Sequence, residues 1–579
     1  CVSRQATPGV LHWKVAGREA AVAFFRVAAL DLDGTLTSRG TVSGAAWGAI
    51  DGARENGLLV LLVTGRIRAE LEAEFPGLTE HFDGLVLENG AVAVTGGRAR
   101  PLALPVDPVL ADALDARGVP CRRGEVLLAV DGAHTGVVAE VITDLELDCQ
   151  IVHNRAAAMV LPAGVTKGTG LTAALADLNL SPHNAVAVGD AENDLSLLEV
   201  AEVGVAVGNA VGSVRHRADV VLDEEDGVGV AELLTGPYVS GVRRLCPPRR
   251  WVGIGTFDDG APARVPGSQA RIVVTGPSGA GKSFLVGLMA ERWVMAGYTV
   301  LVVDPEGDHL ALEQLNNVRV VDAGEHLPQP VDLLASLTHP LTSVVLDMSR
   351  LRDDEKIDYL ERLRVAGPAQ REETGLPHWV VMDEAHLPAS RQDGEDWHWS
   401  PRGGYVLASF MPALIPAAEV ESADLVLELR GDEASSGLRL GEPRRATMRV
   451  GREDPRPFVV GERRTAHVRH RHKYADLQLP VSRRFYFRVR GEPLVAGTLN
   501  EFRTAVRHLD PDVLEFHLQR GDLSRWLDTT IADKDLAAHV AALESDLAAR
   551  RAADLERIRR QIVRAVSDRY LKEPGQVPG

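Results

Sequence analysis

Two hydrophobic rhythms alternate along this 579-residue chain. Between residues 26 and 235, β-branched apolar runs at 26–31, 58–63, 185–188 and 203–207 are separated by helix-like segments. That pattern predicts a parallel α/β sheet with buried strands. From 83 to 162 the runs alternate more strictly, with turn signals at Gly96-Gly97, Gly118 and Asp131-Gly132, which predicts a domain inserted into the first. A second α/β unit is predicted from about 270 to 428, with strands at 271–275, 299–304, 318–321, 343–347, 379–383 and 425–428. Phe485-Tyr486-Phe487 reads as a buried strand. Leu536, Val540, Leu543 and Leu547, then Leu555, Ile558, Ile562 and Val566, fall at helical spacing and predict packed helix faces. No internal repeat or low-complexity tract interrupts this order.

A chain this long exceeds one hydrophobic core. The expected division is an extension at 1–25, a core unit at 26–83 and 163–240 with its insert at 84–162, and a Pro/Arg linker at 241–268. A second unit at 269–432, a basic connecting segment at 433–473 and a mainly helical region at 474–579 complete it. Hydrophobic residues at 45% and charged residues at 25% are ordinary for globular domains. Cys1, Cys121, Cys149 and Cys246 lack a CxxC spacing, which points away from zinc and disulfide frameworks and toward a cytoplasmic protein. Residues 1–25 match no signal-peptide layout and are expected to carry no structural weight. The apolar runs are too short to span a bilayer, so no membrane partner is expected.

The net charge of −18 argues against a protein that coats nucleic acid. Charge is uneven, however: residues 439–490 hold fourteen Arg and one Lys against five acids, with His467, His470 and His472 among them. This stretch is either a solvated or docking face for the acidic remainder, or a nucleic-acid contact strip.

Chemistry concentrates at strand ends. Asp31-Leu32-Asp33-Gly34-Thr35 closes the first apolar run, so both carboxylates can face one crevice over the sheet edge while the following backbone offers amides to a phosphate. Thr64, in Thr64-Gly65-Arg66, brings a hydroxyl to the same edge, and Lys167 can neutralise phosphate oxygens. Gly189-Asp190-Ala191-Glu192-Asn193-Asp194 supplies acids for a hard cation. In order and spacing these motifs resemble the haloacid-dehalogenase (HAD) superfamily, and the insert with Glu88-Asn89-Gly90 at its start resembles the Cof-type branch. The resemblance implies a Rossmann-like core with an inserted α+β cap. It also implies an aspartyl-phosphate on Asp31, Asp33 as general acid/base, and Thr64, Lys167 and Asn193 at the phosphate. Mg²⁺ would be held by Asp31, Asp33 through its backbone carbonyl, and Asp190, with Asp194 in support. Arg98, Arg100, Arg122, Arg123 and His153 of the insert are either surface residues or contacts for an anionic substrate.

Gly276-Pro277-Ser278-Gly279-Ala280-Gly281-Lys282-Ser283 follows a strand and opens an apolar helix, the context of a working P-loop. Its amides cradle phosphates, Lys282 reaches the β- and γ-phosphates, and Ser283 ligates Mg²⁺ of ATP. The strand before Asp383-Glu384 gives a Walker B pattern, with Asp383 at the magnesium and Glu384 polarising water. Together with Asp304-Pro305-Glu306-Gly307-Asp308 and Asp383-Glu384-Ala385-His386, these elements resemble the HerA/FtsK-like ATPases. The resemblance implies a P-loop NTPase α/β domain that forms a homo-oligomeric ring acting on DNA. Two departures stand out: 405–410 lacks the expected sensor, and only Arg430 is a candidate arginine finger.

The expectation is thus a bifunctional Mg²⁺-dependent phosphatase, acting on a phosphorylated metabolite such as a sugar phosphate or phosphoglycolate, joined to an ATPase. The alternatives are a polynucleotide kinase–phosphatase, whose two sites share a nucleic-acid end, and a nucleotide-controlled scaffold or translocase-like ATPase with an accessory phosphatase.

Overall fold

The computed structural model describes residues 11–14, 24–38, 40–154, 157–277, 280–389, 403–410, 413, 415–429, 444–466, 479, 481–488, 493–531, 533–549 and 555–570. Two large sheets organise it. The first has eight strands in the order Val220–Val221, Val203–Ala206, Ala185–Gly189, Val27–Asp31, Leu59–Val63, Gly84–Leu87, Val92–Thr95 and Arg98–Pro101. The first six are parallel, and the last two fold back as antiparallel hairpins. Residues 84–101, read from sequence as the start of the insert, therefore extend the core sheet. Alternation looks the same wherever an antiparallel strand lies, so the pattern could not assign its sheet. A separate four-stranded sheet, Cys149–Asn154, Ala157–Pro162, Leu128–Asp131 and Arg122–Arg123, forms the cap with the helices Pro108–Ala116 and Thr135–Asp144.

The second sheet has eleven strands. Seven are parallel, from Leu425–Leu429 through Arg271–Thr275, Tyr405–Ser409, Trp379–Met382, Val300–Asp304 and Ser343–Asp347 to Val318–Asp322. Beyond Leu425–Leu429 lie the antiparallel strands Arg445–Val450, Arg456–Val460, Val252–Phe257 and Pro262–Val265. The stretch read as a linker is consequently folded. Arg243–Cys246 pairs with Leu11–Lys14 of the stretch expected to carry no structural weight. Arg249 and Arg250 donate to the carbonyls of Leu198, Val200, Ala201 and Glu202 at 2.5–3.1 Å, capping a helix end of the first unit.

The C-terminal helices, among them Leu499–His508, Lys534–Ala549 and Leu555–Tyr570, bury the predicted stripe of Leu536, Val540, Leu543, Leu547, Leu555, Ile558, Ile562 and Val566 against Phe485 and Phe487. Among the described residues no helix is long and apolar enough to cross a membrane.

The two α/β units are packed through a buried polar network. Glu202, fully buried, accepts from Tyr298 Oη at 2.9 Å and Ser268 Oγ at 2.5 Å, and pairs with His183 Nδ1 at 2.8 Å. His183 Nε2 lies 3.0 Å from the Ala296 carbonyl, and its ring stacks on Tyr298. The Thr299 N–H donates to His378 Nδ1, which leaves Nε2 to donate to the side-chain Oδ1 of Asn184 at 3.1 Å. Burial holds His378 well below the ordinary imidazole range, in keeping with a neutral ring that accepts at Nδ1.

These contacts lie at the amino ends of the strands in both units, just before Ala185, Val203, Val300 and Trp379. The carboxyl edges thus point away from the interface.

Burial by itself would raise the Glu202 carboxyl, but His183, with Arg250 and Ser268, carries it from an ordinary 4.5 down to about 2. A depressed folded value stabilises fully above the unfolded value and is lost as pH falls through the folded one. Docking should therefore weaken between pH 4.5 and 2. Glu202→Ala, which strands several buried donors, should cost about 3–5 kcal/mol and separate the unfolding of the two units in urea. An unchanged single transition would show that the network contributes little.

Candidate active sites

Asp31 ends its strand, Asp190 follows Ala185–Gly189, and Thr64 follows Leu59–Val63, so three adjacent parallel strands deliver them to one edge. Lys167 opens the helix Lys167–Asp177, whose start is fixed by a capping box between Thr166 and Thr169. Its Nζ lies 2.6 Å from both Asp31 Oδ1 and Asp194 Oδ1, and all three side chains are buried. Burial, reinforced by Asp194 and Asp190, pushes the Asp31 carboxyl well above the usual range against the pull of Lys167. Asp194 and Asp31 in turn raise Lys167 despite its burial.

Asp31, Asp190 and Asp194 each bring a carboxylate oxygen within 4.8 Å of the others. This all-oxygen donor set suits a hard divalent cation. Asp194 Oδ2 is occupied by the backbone N–H groups of Asp190 and Ala191, both at 3.0 Å, which pins the loop. Thr35 Oγ1 donates to Asp190 at 3.3 Å, and Asn193 donates to Asn89 at 3.2 Å.

Asp33 sits apart from this cluster. Both its oxygens are held by Arg66, each at 2.8 Å, and Arg66 also pairs with Glu74. Sequence reading left Arg66 unassigned, although it lies two residues beyond Thr64. Of the cations expected in the insert, Arg122 of the cap bridges to Glu70 of the core at 2.8 Å, and Arg100, on the edge strand of the core sheet, pairs with Asp177 at 2.6 Å. Both are thereby engaged with carboxylates of this chain.

The second edge carries the P-loop, of which Ser278 and Gly279 lie outside the described residues. Gly281, at φ 101°, caps the helix Lys282–Met295, and Lys282 Nζ donates to the Pro277 carbonyl at 3.0 Å. His309 Nε2 meets Asp383 at 3.0 Å, and Ser283 faces the same carboxylate. Burial alone would raise Asp383, yet His309 and Ser283 bring it to about 2. The Asp304 carboxylate accepts the N–H groups of Gly307, Asp308 and His309 at 2.7–3.0 Å, folding that loop back toward Asp383.

Glu384 has a left-handed backbone, φ 50°, and its carboxylate meets His386 Nδ1 at 3.3 Å. His386 in turn faces Ser409 Oγ at 3.4 Å, from the strand between the P-loop and Asp-Glu strands. Ser409 thus stands where the sequence offered no sensor. Arg444, also unforeseen, stacks its guanidinium 3.8 Å over Phe284, and a Cβ on Gly281 would lie 3.0 Å from it. The expected finger, Arg430, lies outside the described residues, as do His467, His470 and His472.

Two arginines of the basic stretch are docked on this chain's own acids. Arg445 pairs with Asp258 at 2.9 Å and Arg456 with Asp259 at 2.8 Å, while Glu291 receives the N–H groups of Arg464 and Thr465. Arg463 is half-buried, and desolvation lowers it to about 10 against Glu291, Asp308 and Asp304.

Comparison with known proteins follows the two edges. The family described as haloacid dehalogenase-like hydrolase matches residues 28–100 and 137–234, and the one described as the central domain of helicase HerA matches 268–383. A phosphoglycolate phosphatase of Sulfurisphaera tokodaii is 33% identical over 180 residues, 30% of this chain and 77% of that protein. One of Methanothermobacter thermautotrophicus is 32% identical over 217 residues, 36% of this chain and 96% of its own length. A solved haloacid dehalogenase-like hydrolase of Bacteroides thetaiotaomicron is 20% identical, with a TM-score of 0.33 over 36% of this chain and 98% of that one.

Proposed function

The chain belongs to the haloacid dehalogenase-like hydrolases, and we propose that it hydrolyses the phosphate monoester of a small anionic metabolite by way of an aspartyl-phosphate on Asp31. The observation that carries this reading is Lys167 shared between Asp31 and Asp194 beside Asp190, on one buried edge. An Asp31 oxygen attacks phosphorus, and Asp33 protonates the departing oxygen and later takes a proton from water. Thr64, Lys167 and Asn193 hold the phosphoryl oxygens. Asp31, Asp190 and the Asp33 carbonyl would hold Mg²⁺ with Asp194 in support; when bound, the ion screens the anionic substrate. Phosphoglycolate, named in the relatives, leads the candidates, followed by sugar phosphates. Phosphate release from a panel containing both, nucleotides and end-phosphorylated DNA tests this. Release from DNA ends alone would overturn the metabolite assignment.

The second edge we assign to ATP binding and hydrolysis. The P-loop from Gly276 to Ser283 takes the phosphates, Ser283 and Asp383 would hold the accompanying Mg²⁺, and Glu384 activates water. Arg444 adds positive charge beside Gly281. A polynucleotide kinase–phosphatase gains no support from carboxyl edges that face apart. A ring of copies and a grip on DNA would follow from the likeness to HerA. Gel filtration with and without ATP tests the ring.

A further inference from the structure

Glu88-Asn89-Gly90 takes no part in the chemistry above, yet it touches the loops of Thr64, Lys167 and Asn193. It follows the strand Gly84–Leu87, next to the strand that delivers Thr64. Glu88 and Asn89 both adopt left-handed backbone, at φ 52° and 55°, a costly conformation for two consecutive side-chain-bearing residues. Their N–H groups donate to the carbonyls of Arg66 and Thr64 at 3.2 and 3.0 Å. The Asn89 side chain receives Asn193, and a Cβ on Gly90 would fall 1.9 Å from the Thr166 carbonyl, beside Lys167.

The Glu88 side chain leaves this cluster and reaches the cap. It is 1% exposed. Oε1 accepts the N–H of Glu125 at 2.7 Å, and Oε2 accepts those of Val126 and Leu127, each at 2.9 Å. Three consecutive amides converging on one carboxylate make a nest. Val126 and Leu127 meanwhile bury their side chains in the apolar cluster of the core. At Gly124 a Cβ would lie 2.3 Å from Glu88 Oε1, so the loop must carry glycine there to be seated.

We propose that Glu88 is the latch of the cap: a positioning residue that seats loop 124–127 on the core, so that cap closure and alignment of Thr64, Lys167 and Asn193 are one event. The strained backbone is kept because both ends are held, the amide donors of the cap on one side and the phosphate loops on the other. Without the latch the competent, closed fraction falls, and apparent affinity falls by that fraction while the chemistry of closed molecules is unchanged. The latch rests on Asp31 being the reacting group.

The test uses the full chain, with hydrogen exchange and kinetics on an aryl phosphate. Glu88→Gln should speed exchange at the amides of 125–127 at least about tenfold, raise KM by about tenfold, and leave kcat within about threefold. Gly124→Ala, which crowds the carboxylate without removing it, should give the same split and serves if the Gln variant does not fold. Faster exchange with KM and kcat both unchanged would reduce Glu88 to a structural peg. Lost kcat at constant KM would likewise overturn the latch. A wild-type chain that hydrolyses no phosphate ester would instead defeat the Asp31 reading, while the exchange result still reports on the seating of the loop.

Discussion

Asp31→Asn should lower aryl phosphate hydrolysis on the order of 10⁴-fold, because an amide cannot form the acyl phosphate that splits the reaction into two steps. The substitution is close to isosteric, and Lys167 keeps its 2.6 Å partner Asp194, so the fold should survive. That is why Asp31 is a better probe than Lys167. Removing the lysine would leave Asp31, Asp190 and Asp194 crowded and buried without their cation, a penalty of about 3–5 kcal/mol that mixes stability with catalysis. Steady-state phosphate release, with circular dichroism to confirm folding, checks the prediction. Activity within tenfold of wild type would remove Asp31 as the nucleophile.

The parts of the molecule legible in the sequence are those where chemistry and periodicity coincide. Asp31, Thr64 and Asp190 each end a short β-branched run, so strand and site were read together, and the structure brings all three to one edge. Residues joined only by tertiary contact gave no such signal. Glu202 and His183 are isolated polar residues at strand starts, and nothing local marks them as the centre of a buried network. Arg249 and Arg250 sit in a Pro-rich stretch that reads as exposed. A guanidinium, however, can satisfy several buried carbonyls at once, and here it ties the stretch to the first unit. Arg66 carried a weak clue, two positions past Thr64, while Arg444 and Ser409 reach the P-loop edge from distant parts of the sequence.

Glu384→Gln should reduce ATP turnover by about 10²–10³-fold while ATP still binds, whereas Lys282→Ala should lose the binding itself. The distinction follows from where each side chain sits. Lys282 opens the P-loop helix, so on the ATP assignment its charge would hold the phosphates. Glu384 lies across the intervening strand, held by His386, and contributes only once water must be deprotonated. Neither variant should change phosphatase kcat by more than about threefold, since each site lies at the carboxyl ends of its strands and the shared contacts lie at their amino ends. ADP release and equilibrium ATP binding on the same preparations decide the matter. Undiminished turnover in Glu384→Gln would take water activation away from Glu384. Transfer of the γ-phosphate to a 5′-hydroxyl oligonucleotide that survives the same substitution would point to a kinase, because transfer to a hydroxyl has no need of a group that deprotonates water.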